Sequence, residues 1–72
     1  PLMDSDLLLE AFELSREIRE MDMRAAPYDL ADWGYEPIRI ETPEGKREYA
    51  RLQRGFAERS QRLRERLLTR LP

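Results

Sequence analysis

Neither cysteine nor histidine occurs among the 72 residues. Without cysteine there is no disulfide framework, no thiolate nucleophile and no thiolate metal ligand. Without histidine the commonest general base and the usual zinc ligand are missing too, so no metal and no other cofactor is expected. Long apolar runs are equally absent. Nothing approaches the ~20 consecutive apolar residues of a membrane-spanning helix, and the N-terminus lacks the basic-then-apolar layout of a secretory signal. No membrane partner is expected, and the chain is expected in the cytoplasm. Bulk is the last shortage. A chain of this length makes at most one small domain, and one core of that size is marginal without disulfides, metal or association.

What the chain has in abundance is charge. Charged residues make up 39% of it, against ~25% in an ordinary domain. The signs are segregated. Residues 1–24 carry seven acids and three bases, net −4, and residues 25–43 carry four acids and one base, net −3. Residues 44–72 reverse this, with four acids and nine bases, net +5. Opposite halves of this kind pair with one another, within or between chains. The sharper alternative is that the basic half meets nucleic acid.

Periodicity predicts two long helices. Leu7, Ala11, Leu14, Ile18, Met21 and Ala25 recur at intervals of four and three, which lines them along one helical face. Leu8 and Phe12 are expected to widen that stripe at its start. Asp4, Ser5 and Asp6 are the cap candidates, each able to accept a bond from a free N–H of the first turn. Pro27 disfavours helix at the residue before it, so the first helix is predicted over about 5–25. Met21 and Met23 do not form a cofactor-facing pair, because residues two apart point away from each other on a helix.

The second helix is predicted over about 43–70, with Thr42 as N-cap and Pro43 in the first position. Its stripe is Tyr49, Leu52, Phe56, Ser60, Leu63, Leu67 and Leu71. Gly55 sits in mid-helix, where it costs ~1 kcal/mol relative to alanine; it is expected to let a neighbouring backbone come close. Arg47, Arg51, Arg54, Arg59, Arg62, Arg64 and Arg66 surround the stripe. They are the candidates for polyanion contact, which needs clustered bases. Glu48, Glu58 and Glu65 interrupt them and no aromatic is interleaved to stack on a base, so a solvated helix face is the plainer reading.

The connector, 26–42, is richer than a turn requires. It holds Tyr28, Trp33, Tyr35, Ile38 and Ile40 as well as Pro27 and Pro37. Residues 28–34 read as a short helical turn closed by Gly34 in the left-handed capping position. Residues 35–41 alternate apolar and polar, as an extended strip with one buried face does; Ile38 and Ile40 are expected to dock on the helices. Asp22, Arg24, Tyr28, Asp29 and Trp33, with Asp32 and Tyr35 nearby, form the densest polar-aromatic set. One reading makes them a small ligand or catalytic site. The other has Arg24 tying the loop to an aspartate while the aromatics cover helix ends.

Two blocks, residues 18–30 (IREMDMRAAPYDL) and 35–46 (YEPIRIETPEGK), resemble the C-terminal end of actinobacterial 3-methyladenine DNA glycosylases, and Tyr49, Gln53, Phe56, Ala57 and Leu63 fit the same tail. The resemblance spans most of this chain but only about the last quarter of such a protein. It implies that the chain is a fragment with Pro1 internal, and that the whole protein excises alkylated bases. Such enzymes flip the base into a pocket and use a carboxylate in bond cleavage. No catalytic residue of that kind maps onto this segment.

The expected architecture is therefore all-α: two long amphipathic helices in a hairpin joined by an ordered connector rich in proline and aromatics, associating into a helical bundle. The expected partner is a second copy or the rest of the same polypeptide, with DNA reached through the longer protein. The segment by itself is expected to be non-catalytic.

Overall fold

The computed structural model describes residues 5–70. Pro1, Asp4 and Leu71, which entered the sequence argument, lie outside that range. Helix α1 runs Ser5–Arg24 and helix α2 runs Pro43–Leu68, with one 3-10 turn, η1, at Ala31–Trp33 between them. No strand occurs among the described residues. The two helices pack against each other as a hairpin, so the chain is all-α. None of the described helices is long and apolar enough to cross a membrane.

Local chemistry sets the boundaries. Ala25 and Ala26 still donate backwards, to the carbonyls of Met21 at 3.0 Å and Met23 at 3.3 Å. Pro27 has no N–H to continue the series. At the other junction Thr42 caps α2: its Oγ1 accepts from the Gly45 N–H at 3.0 Å and donates to the Arg39 carbonyl at 2.7 Å. Pro43 fills the first helical position, where its missing N–H costs nothing.

Between the helices, Asp29 Oδ1 accepts from the Ala31 N–H at 2.9 Å, which starts the 3-10 turn. Gly34 ends it at φ +89°, a backbone shape that a side chain resists. The returning strip is then strapped to the end of α1 by Arg24. Its Nε donates to the Glu36 carbonyl at 2.7 Å, and its own carbonyl accepts from the Ile38 N–H at 2.8 Å. Those two bonds aim Ile38 inward.

The core is narrow. Among the described residues the buried apolar side chains are Leu7, Leu14, Met21 and Ile38. The first three stand seven apart, the seam of α1 against α2, with Leu52, Phe56 and Leu63 half-buried opposite. Two helices side by side make a single layer, and the molecule measures 47 × 24 × 13 Å along its principal axes. Stable domains usually stack two such layers.

Opposite charges meet across the seam. Arg59 pairs with Glu17 at 2.8 Å, and Arg66 pairs with Glu10. Both partners step by seven residues, so the pairs repeat along one edge of the hairpin. Tyr49 donates to Asp22 at 3.4 Å near the closed end, too long to be strong.

Four expectations from sequence are corrected. Leu8 and Phe12 do not widen the inner stripe: they are 57% and 64% exposed, because at 100° per residue they turn well away from Leu7 and Leu14. Ile40 does not dock beside Ile38. It is 44% exposed, since the backbone is already turning into the Thr42 cap, where Thr42 N–H bonds the Arg39 carbonyl. Gly55 admits no close neighbour, for a Cβ there would meet open space. The close approach is at Gly45, which is buried and whose Cβ would overlap the Arg39 carbonyl. Lastly, the Arg24 tether runs to a backbone carbonyl rather than to an aspartate.

Candidate functional site

Of the five connector residues singled out from sequence, Tyr28 and Asp29 line one open hollow with Pro37, Ile38 and Ile40, while Arg24 and Asp22 line two others. Arg24 is bound to the Glu36 carbonyl and Asp29 to the Ala31 N–H, while Asp22 makes only the long contact with the Tyr49 hydroxyl. Tyr28 and Trp33 stand out from the surface, Trp33 at 79% exposure, so neither covers a helix end. Each polar member serves the local backbone or the seam. Among the described residues no group of three or more carboxylates is placed to hold a metal ion.

The arginines of α2 are divided among different tasks. Arg59 is used across the seam, and it also lies 5.9 Å from the Phe56 ring centroid, within cation–π range. Its hydrogen bond holds the Glu17 carboxyl below the ordinary glutamate value; burial opposes the effect, and the charges of Arg59 and Arg16 add to it. The Arg59 guanidinium is raised in return, chiefly by the same hydrogen bond. Arg51 grips Glu48 through bonds of 2.9 to 3.3 Å, and Arg47 lies 3.9 Å from Glu44. Arg54 and Arg62 make no ion pair among the described residues. The basic half is therefore not one open cationic strip.

A different surface stands out. Ser5, Leu9, Phe12, Arg16, Arg19 and Met23 recur along α1 at intervals of four and three. This stripe has the same rhythm as the inner one but is displaced by two residues. Two residues turn a helix by ~200°, so the second stripe faces away from α2. All six side chains are exposed. Leu8 flanks Phe12, and the two leucines and the phenylalanine each show more than half their surface to water. At the other end of the stripe Met23 lies beside Tyr35 in a shallow, mainly apolar dimple completed by Arg16, Arg19, Glu20 and Asp22. The sequence carried this signal as a second period-3.6 pattern; the first, better-filled stripe obscured it.

This outer stripe is the candidate site, and its chemistry is that of a contact surface. It offers apolar area at both ends and mixed charge between them. No family model, curated protein or solved structure matches the chain.

Proposed function

We propose that this chain is a non-catalytic helical packing and association segment, belonging to a longer cytoplasmic protein of the 3-methyladenine DNA glycosylase kind. The single observation that carries the association reading is the exposure of Leu8, Leu9 and Phe12 on the outer side of α1, in a hairpin whose two long helices form a single layer. A helix with apolar residues on two opposite sides has more apolar surface than one neighbouring helix can cover. Exposed apolar groups clustered in this way mark contact surfaces. The DNA-repair assignment rests on the resemblance of residues 18–30 and 35–46, and gives the segment a supporting place beside a catalytic domain.

Association is tested by mass action. A chain that folds and associates together gains stability with concentration. The melting temperature of the 72-residue chain is expected to rise across a hundredfold range of concentration, and sedimentation is expected to show a species larger than one chain. A melting temperature independent of concentration, with one chain per particle throughout, overturns the reading.

A further inference from the structure

We infer that the outer stripe of α1 is a self-pairing surface, on which a second copy of this chain lies antiparallel about a two-fold axis at Arg16. The inference rests on the association reading above and adds to it the partner and the geometry.

A two-fold contact places one patch against itself reversed, so the patch must be self-complementary. The stripe meets that requirement. Read along α1 it runs apolar at Leu9 and Phe12, basic at Arg16 and Arg19, and apolar again at Met23. Turned end for end about Arg16, Leu9 of one copy falls opposite Met23 of the other, and Phe12 falls opposite Glu20, on the rim of the mainly apolar dimple beside Met23 and Tyr35. Apolar ends meet apolar ends.

Charge favours a second copy over a foreign partner. A face of one sign would select a partner of the other sign. This face is mixed. Glu13 and Glu20 stand three and four residues from Arg16, on the same side of the helix. In the paired arrangement the two Arg16 guanidiniums near the axis are therefore surrounded by four carboxylates. Glu10 and Glu17 are already used within the hairpin by Arg66 and Arg59, so they do not compete.

The assignment of the two helices agrees with this. Pairing through α1 puts both α1 helices at the centre and both α2 helices outside. The inner helix has two opposed stripes, and the outer helix has one stripe and most of the arginines. From Leu8 to Met23 the contact is ~22 Å long at 1.5 Å per residue. A strip of that length buries several hundred Å² per copy, to order of magnitude, which places the dimer at the small, reversible end of known interfaces.

The absence of cysteine makes the test direct. Leu9→Cys and Met23→Cys variants of the 72-residue chain are prepared separately, then oxidised alone and as an equal mixture. In the antiparallel dimer positions 9 and 23 of different copies are adjacent, whereas 9 and 9, or 23 and 23, are ~21 Å apart, far beyond disulfide reach. The mixture is expected to give at least tenfold more covalent dimer than either variant alone, and almost all of it the 9–23 species. Phe12→Glu is expected to leave helicity intact by circular dichroism and to abolish the dimer in sedimentation. Efficient bridging in Leu9→Cys alone overturns the antiparallel geometry. Association of the native chain without enrichment of the 9–23 bridge overturns this inference but leaves the association reading standing. A chain that never associates removes both.

Discussion

Gly45, in the first turn of α2, lies against the carbonyl of Arg39 so closely that a single added methyl group would overlap it. Backbone, not a pliable side chain, occupies that space, so the strip would have to move. Moving it would disturb the Thr42 cap, whose hydroxyl donates to the same carbonyl. Gly55 is the opposite case, a helical glycine with nothing near its missing Cβ. Gly45→Ala is therefore expected to lower stability by more than 1 kcal/mol despite alanine's better helix propensity. Gly55→Ala is expected to raise it by up to ~1 kcal/mol. Chemical denaturation of the two variants beside the native chain checks the contrast. Equal effects of one sign would contradict it.

The ion pair between Glu17 and Arg59 gives a pH dependence of known sign. The carboxyl is held below its ordinary value of 4.5 when the chain is folded. The pair's contribution is accordingly complete above the unfolded value and is lost as pH falls through the lowered folded value. Both side chains are about two-fifths exposed, so water and salt screen the pair and its worth is within ~1 kcal/mol. Thermal melts of the native chain and of Glu17→Gln between pH 7 and pH 3 are expected to differ most at neutral pH and to converge in acid. The gap is expected to narrow in 0.5 M salt as well.

Thr42 does two jobs with one hydroxyl, accepting from Gly45 and donating to Arg39. Serine keeps the hydroxyl and alanine loses it. Thr42→Ala is expected to cost about 1 kcal/mol, in the range found for lost helix caps, and Thr42→Ser to recover most of it. Loss of helix signal at the start of α2 in amide hydrogen exchange would locate the damage.

Much of the fold was legible because it rests on local rules. The inner stripe of α1, Pro27 at its end, Gly34 closing a short turn and Thr42-Pro43 opening α2 each act over a few residues. Legibility failed wherever the outcome depended on the path of the connector. In sequence Gly55 is the candidate for close packing, and only the return of the strip past Arg39 gives that place to Gly45 instead. The connector residues Asp22, Arg24 and Asp29, grouped in sequence, each bond a different partner (the Tyr49 hydroxyl, the Glu36 carbonyl and the Ala31 N–H), and Trp33 faces solvent. The outer stripe of α1 was present all along as a second period, hidden by its polar centre at Arg16 and Arg19.

Ile38 and Ile40 bring that distinction to a test. They are the same residue type, two apart on one extended strip, and alternation would turn both to one face. The structure separates them: Ile38 is 5% exposed and Ile40 is 44% exposed. The difference arises at Arg24, whose carbonyl receives the Ile38 N–H and pins that residue over the end of α1. Two residues later the chain is bending into the cap. Truncating a buried isoleucine removes its transfer energy and leaves a cavity, so Ile38→Ala is expected to cost 2 to 5 kcal/mol, roughly the usual range. For a chain this small that amounts to most of its stability, and the variant is expected to be largely unfolded at 37 °C. Ile40→Ala removes a side chain already in water and is expected to stay within about 0.5 kcal/mol of the native chain. Should the two variants melt together, the strap at Arg24 is not what orients the strip, and the packing of the connector must be redrawn.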